Sequence, residues 1–494
     1  MDDSLLSRFI GGTISTGFGS ASSLVLGLLG TMVAVRYLPA EAFGAFVLLE
    51  VVAGFLRQFS SLGLDYSTAK FITSTEDQQH RRRLINTAIC FRLFMIFAMS
   101  LVALIAKPAL SAVFGSSLTP TLVAFVPLLF LLESLSGLLK SALQGCFLFR
   151  RIGITDFITG FLNFLLILAL VSFMDLGVLG LIYARVISLS LSCAFAFFST
   201  PIKKQLEFDS NILKEMLVFG FPLQINDILT FMFQRIDTLI IGTLLGPASI
   251  AYYEMARKIP DSLGQLYEAF RSVFFPIMSR LFALGEQKKA AQILNSSTRL
   301  VSFVSILGAL IAVAFGHDVI VLLFSDKYIP SVPAFVVLMI ALSLSLVGNV
   351  LGTSLVAVGE SDKPAIVNVV HTAASLLGNL IFIPIFGIVG AALASLAGPS
   401  ATNPLNVFFL QRRKVDVRVW DYLKPILILG ACLLLVLLLK PTAFLQKVSI
   451  IVFFILACML LSVVNGQDLN ALFGEARVTL SKLLRRLPSR GTKT

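Results

Sequence analysis

Long apolar runs recur along almost the whole chain, each ended by a short polar or Gly/Pro-bearing break. A helix of about 20 apolar residues crosses a hydrocarbon core about 30 Å thick. On that measure about fourteen spans are expected, near 11–36, 41–64, 84–106, 119–142, 152–173, 178–199, 216–244, 248–276, 298–322, 330–357, 364–385, 388–410, 420–439 and 448–465. The predicted fold class is an all-α polytopic membrane protein.

The polar breaks alternate in charge. One set carries Lys70 with Arg81, Arg82 and Arg83, then Lys140, Arg150 and Arg151, then Lys203 and Lys204, then Arg280, Lys288 and Lys289, then Lys363, then Arg412, Arg413 and Lys414. The other set has scattered cations such as Lys107, Lys327, Lys440 and Lys447. Basic loops collect on the cytoplasmic side, so both termini are expected there, in a cytoplasmic (inner) cell membrane. The outer loops are short: Pro39–Glu41, Asp175–Gly177, Gly246–Pro247 and Phe386–Gly387 are turns. They leave no room for an extracytoplasmic catalytic domain, which argues against a membrane polymerase or ligase.

Two segments repeat. DLGVLGLI at 175–182 matches IFGIVGAA at 385–392, and YLPAEAFGAF at 37–46 matches LLGPASIAYY at 244–253. The repeat predicts two six-helix lobes in pseudo-twofold, parallel arrangement, residues 1–200 and 201–411. In transporters so built, substrate binds near the midplane between the halves. Residues 412–466 add two spans with few ionisable residues, and 467–494 carries an amphipathic pattern (Leu469, Leu472, Phe473, Ala476, Leu480) beside Arg477, Lys482, Arg485 and Arg486, expected to lie on the anionic cytoplasmic leaflet, with a partner-binding helix as the alternative.

Composition agrees with the pattern. The 494 residues are 57% hydrophobic and 13% charged, with a mean hydropathy of +0.92. The net charge of +12 is accounted for by cytoplasmic loops and does not call for nucleic acid. The start, MDDSLLSRFIGG, lacks the basic n-region of a removable signal peptide. Five cysteines at irregular spacing give neither a disulfide framework nor a metal pattern. His80, His317 and His371 are the only histidines, so a His-based metal site or triad is not expected. No Walker-type loop is present, so an ion gradient, the membrane potential or the lipid gradient is the expected energy source, with a coupling H⁺ or Na⁺ in place of a cofactor. The first span, GGTISTGFGSASSLVLGLLG, suits either close helix packing or a mobile cavity-lining helix.

Ionisable residues inside the spans point to chemistry. The hairpin from Phe219 to Arg280 carries Arg235 and Asp237 before its turn, and Glu254, Arg257 and Lys258 after it. At 1.5 Å per residue from Gly246, Asp237 and Glu254 lie roughly 12–14 Å deep, and Arg235 and Arg257 roughly 16 Å. A charge near the midplane costs at least about 2.5–3.5 kcal/mol on insertion scales, so it normally faces protein or a watery cavity. Two readings follow: a polar cavity that handles an anion, or an internal salt bridge that locks two helices. Glu50 and Arg57 in the second span invite the same pair of readings, with snorkelling to the headgroups as another role for Arg57. Arg92, Glu133 and Arg185 add structural pairs or ligand contacts.

Several motifs, in this order, resemble a known family: LPAEAFGAF (38–46), SLGLDYSTAKF (61–71), QGCFLFRRIG (144–153), FPLQINDILTFMFQRIDTLIIGTLLGPASIAYY (221–253), FFPIMSRL (274–281) and GESDKPAIVN with IPIFGIVGAALAS (359–395). The chain resembles the polysaccharide/oligosaccharide (O-antigen-type) flippases of the multidrug/oligosaccharidyl-lipid/polysaccharide exporter superfamily. The resemblance implies a V-shaped pair of six-helix lobes that moves an undecaprenyl- or other polyprenyl-diphosphate-linked glycan from the inner to the outer leaflet, with membrane lipids and a glycan polymerase or biosynthesis complex as partners. More distantly, the chain is similar to lipid II flippases, whose extra C-terminal spans carry a lipid-tail groove. Their cavity arginines fall beside motifs like FLRQF (55–59) and AYYEMARKIP (251–260), which points to Arg57 and Arg257.

The expected diphosphate-binding cations are therefore Arg57, Arg235, Arg257 and Lys258, since arginine binds phosphate oxygens in a bidentate manner. Asp237, Glu254 and Glu50 are the expected ion-pair or coupling acids. The competing reading is a multidrug/cation antiporter of the multidrug and toxin extrusion type, which would want about twelve spans and cavity acids without matching arginines. A non-transporting scaffold would leave the buried charge without a role.

Overall fold

The computed structural model describes residues 3–75, 77–108, 120–201, 207–359, 362–439 and 443–461. The amphipathic pattern over 467–494 and most of the loop from Lys107 to Pro120 lie outside these residues. Helices account for nearly all of the described chain, with no strand among them. In order they are α1 (Asp3–Tyr37), α2 (Ala40–Ser61), α3 (Leu64–Ser74), α4 (Gln78–Ile105), α5 (Val126–Gly145), α6 (Phe149–Ile167), α7 (Gly177–Ser199), α8 (Ser210–Leu244), α9 (Pro247–Ala283), α10 (Gln287–Phe324), α11 (Val332–Ala357), α12 (Asp362–Phe386), α13 (Ile388–Arg412), α14 (Val419–Leu439) and α15 (Phe444–Leu460).

Among the described residues, ten helices are long and apolar enough to cross a membrane, and α8, bent by 46° near residue 233, makes eleven. The expected fourteen is not reached on this measure, and the shortfalls have physical causes. Helix α9 has 37 residues but carries Glu254, Arg257, Lys258, Asp261, Glu268 and Arg271. Helix α13 holds Pro399, Thr402, Asn403, Pro404 and Asn406 in its middle. Helix α15 has 17 residues, three short of a full span. The second predicted span also stops earlier than its hydropathy suggests. Leu62 and Gly63 adopt φ of 45° and 78°, which ends α2 and starts the short helix α3.

The chain divides into two compact units. The first gathers Met1–Met255 with Ile320–Ser331 and Ile383–Ala391, and the second gathers Ala256–Val319, Val332–Phe382 and Ala392–Thr494. Packing thus draws its line inside α9, later than the sequence repeat does, because α8 packs on α2 and α3.

In the first unit α1 packs along α6, and α5 is surrounded by α2, α3, α4 and α7. Gly19 of α1 serves close packing, since a Cβ there would fall 2.3 Å from the Gly153 carbonyl oxygen. The repeated turns share a backbone state, since Gly177 and Gly387 both have φ of 60°. Gln224 of α8 reaches the α2–α3 break, accepting from Gly63 N at 3.0 Å and donating to Gln58 O at 2.7 Å.

In the second unit Tyr267, Phe274 and Met278 of α9 pack with Leu294, Val350, Leu351, Leu410 and Tyr422 in one apolar core. Asn295 ties α10 to the segment before α14, donating to Asp416 O at 2.8 Å and accepting from Arg418 N at 2.9 Å. Phe303 stacks on Phe454, docking α15.

Candidate functional site

The α8–α9 hairpin brings two of its opposite charges together. Arg235 Nη1 lies 3.0 Å from Glu254 Oε1, which also accepts from Thr238 Oγ1 at 3.4 Å. Asp237 is buried and fully engaged. Its Oδ2 accepts from Tyr253 Oη at 2.7 Å, and its Oδ1 accepts from Thr238 N at 2.6 Å. A guanidinium on a carboxylate, with neutral donors on a second carboxylate, is how a membrane interior tolerates three ionisable groups. Arg257 and Lys258 fall in the second unit, where Arg257 Nε lies 2.9 Å from Asp261 Oδ2. Lys258 is half-buried, and its carbonyl accepts from Ser262 Oγ.

Glu50 does not stand beside Arg57. It pairs with Arg185 of α7, whose Nε is 3.0 Å from Glu50 Oε1 and whose Nη2 donates to Glu133 Oε1 at 3.1 Å. Two carboxylates share one guanidinium.

The opposite balance occurs where α2, α3, α4 and α5 meet. Arg92 is wholly buried, the largest such side chain among the described residues. Its Nη2 donates to Asp65 Oδ1 at 2.5 Å and to Ser61 Oγ at 3.3 Å, while its Nε and Nη1 are buried without partners. Arg57 belongs to the same cluster: the Cβ position of Gly137 lies 3.1 Å from Arg57 Nη2 and 3.4 Å from Asp65 Oδ2. Arg57 is half-buried and makes no ion pair among the described residues. Two guanidinium groups therefore stand near one carboxylate that pairs with Arg92, and Arg57 is the more accessible of the two. Nearby, Tyr66 donates to Asp227 at 2.9 Å, and burial and then that carboxylate raise the phenol above its ordinary 10.0.

Of the residues picked out by sequence, Arg235 and Glu254 meet directly, with Asp237 beside them on α8. Glu50 joins a different cluster, and Arg57 a third. Arg92 was marked as an intramembrane charge, but its place as Arg57's neighbour was not visible, because 35 residues and a helix break separate them. Among the described residues no three His, Cys, Asp or Glu side chains converge as a metal site would require.

Comparison with known proteins adds relatives and fold. The family pattern described as "Polysaccharide biosynthesis protein" matches residues 33–333, more than half of the chain. A Klebsiella pneumoniae protein described as an uncharacterized membrane protein in the cps region is 23% identical over 472 residues, covering 92% of this chain and 93% of its own. A Haloferax volcanii protein described as a probable low-salt glycan biosynthesis flippase is 22% identical over 401 residues, covering 78% and 80%. Among solved structures, the lipid II flippase MurJ in an inward closed conformation superposes with a TM-score of 0.66 at 14% identity, covering 90% of this chain and 97% of that one. An inward-facing multidrug resistance MATE family transporter superposes with a TM-score of 0.63 at 16% identity, covering 82% and 98%.

Proposed function

The chain is a multi-pass membrane protein of the polysaccharide biosynthesis protein family, and from that premise we propose that it is a flippase for a lipid-linked oligosaccharide. The cargo is a glycan on undecaprenyl or another polyprenyl diphosphate, carried from the inner to the outer leaflet of the cytoplasmic membrane by alternating access for cell-surface polysaccharide synthesis. A glycan polymerase or biosynthesis complex is the natural downstream partner. The observation that carries this reading is the surplus positive charge at Arg57 and Arg92, two guanidinium groups near the single carboxylate of Asp65, which pairs with Arg92.

A diphosphate cannot cross hydrocarbon bare, because an ionised group loses its hydration there. It needs cations that have not already been neutralised. Arg57 meets that need, half-buried and outside any ion pair among the described residues. Arg235 and Arg257 reach a phosphate by exchanging their carboxylates, Glu254 and Asp261, for it. Such an exchange keeps each guanidinium paired throughout, so neither state pays the full desolvation of a lone charge. Lys258 adds a point charge on the same helix as Arg257.

Glu254, Asp237 and Glu50 are the acids that respond when cargo or a coupling H⁺ or Na⁺ binds. Glu254 pairs with Arg235 and Glu50 with Arg185, so a change in protonation or cation binding at either acid acts directly on an intramembrane guanidinium.

The test is reconstitution in proteoliposomes with an undecaprenyl-diphosphate sugar and a leaflet-resolved readout. Wild type should move the lipid, and Arg57→Ala should insert normally but move it far more slowly. Efflux of a cationic dye in the same vesicles, with no movement of the lipid-linked sugar, would instead favour the multidrug antiporter.

A further inference from the structure

The second unit holds a cavity of about 540 Å³ enclosed by α9, α11, α12 and α13. That is within the roughly 300–1,000 Å³ of small-molecule sites. Its chemistry is unlike that of the charged clusters in the first unit.

The floor is built from amides. Asn403 and Asn406 of α13 are both buried. Asn403 Nδ2 donates to Leu344 O at 3.0 Å, and Asn406 Nδ2 to Gly348 O at 3.5 Å, so both amide nitrogens are turned onto the backbone of α11. That fixes each Oδ1 as an acceptor, and both Oδ1 atoms are buried with no hydrogen-bond partner. An amide oxygen has two lone pairs, and a buried one left empty is costly. Gly348 makes the space for this arrangement, since a Cβ there would fall 2.3 Å from Asn403 Oδ1.

The charges of the lining cancel. Arg271 Nη1 lies 3.2 Å from Glu268 Oε2, and these are the only Arg, Lys, Asp or Glu in the lining among the described residues. A phosphate would find no uncompensated cation here, and a drug cation no uncompensated acid. Asn349 and Asn368 add two further amides with exposed side chains. Tyr267 and Phe275 of α9 supply ring faces, and the Tyr267 hydroxyl lies 3.3 Å from Thr353 Oγ1.

Exposed amides over a buried amide floor, aromatic faces and no net charge fit an uncharged polyol. We propose that this cavity is a sugar subsite in which the exposed amides of Asn349 and Asn368 hydrogen-bond sugar hydroxyls, while the buried Asn403 and Asn406 hold the floor in shape. It deepens the flippase reading, on which the identity of its cargo rests: the cations hold diphosphate and this cavity holds part of the glycan.

The test needs no transport. Purified full-length protein is examined by saturation-transfer difference NMR against glucose, galactose, mannose and N-acetylglucosamine at millimolar concentration. At least one sugar should receive saturation in wild type. Asn349→Ala, an exposed side chain with no fold role, should weaken that sugar's binding about fivefold to tenfold, the effect of one net hydrogen bond. Asn403→Leu with Asn406→Leu should abolish it in protein that remains monodisperse, and Arg57→Ala should leave it unchanged. No saturation of any of the four sugars in wild type, or equal saturation in wild type and both amide variants, overturns the subsite. Failure of the flippase reading would look different: sugar binding intact, with no leaflet movement of the lipid-linked sugar.

Discussion

Asp65 Oδ1 lies 2.5 Å from Nη2 of Arg92, and that contact is the only one by which the buried guanidinium meets a carboxylate among the described residues. Removing one partner of a buried pair strands the other, at about 3–5 kcal/mol. Asp65→Ala should therefore lower the melting temperature of the detergent-solubilised protein sharply, or prevent its accumulation. Arg57→Ala should leave the melting temperature within a few degrees, because Arg57 is half-buried and makes no ion pair among the described residues. Equal destabilisation by the two would place Arg57 in the structural framework and remove it from the anion site.

At Arg57 itself, charge and shape can be separated. A charge-assisted hydrogen bond contributes about 1.5–3 kcal/mol, or about ten- to a hundredfold in a rate that depends on it. Flipping should fall by that factor in Arg57→Ala. Arg57→Lys should recover part of it, since lysine keeps the charge but not the bidentate fork. Leaflet-resolved initial rates for the three proteins check the order, and a lysine variant no better than alanine would point to geometry as the whole effect.

The Arg235–Glu254 pair joins the two arms of the hairpin at 3.0 Å. Glu254→Gln should destabilise the protein, and Arg235→Glu combined with Glu254→Arg should recover much of that stability by restoring the pair in reverse. Transport should not recover in the exchanged protein, because the guanidinium then sits on the other helix. Melting temperatures and flipping rates measured on the same preparations distinguish the outcomes. Full recovery of both would make the pair a structural lock.

How far the sequence spoke depended on whether the signal was local. Each apolar run became a helix because hydropathy at the scale of 20 residues is a property of the run itself. The Arg235–Glu254 pairing was legible because a two-residue turn holds their helices side by side. The partner of Glu50 was not: Arg185 is 135 residues away, and only the packing of α2, α5 and α7 brings them together. The amide cavity was silent for another reason. Asn349, Asn403 and Asn406 stand alone in otherwise apolar or proline-broken segments, and without charge they raise no alarm in a hydropathy scan. The two prolines of α13 lower its apolarity, yet the span read near 388–410 is one continuous helix from Ile388 to Arg412.

The crossing of α8 over the α2–α3 break can be tested by adding one methyl group. A Cβ on Gly63 would fall 2.0 Å from the Gly220 carbonyl oxygen, and Gly63 also has φ of 78°. Gly246 has a nearly equal φ of 81° with nothing within 4 Å of its Cβ position. Alanine at either position meets the left-handed penalty of about 1–2 kcal/mol. Only at Gly63 does it also force two backbones apart, which adds about 1–3 kcal/mol on the scale of overpacked cores. Gly63→Ala should therefore melt several degrees below Gly246→Ala, and flipping should fall with it because the displaced backbone carries Asp65, the carboxylate near Arg57 that pairs with Arg92. Equal melting temperatures for the two variants would mean that α8 does not press on the break, and hydrogen bonds such as those of Gln224 to Gly63 N and Gln58 O would then have to hold it there.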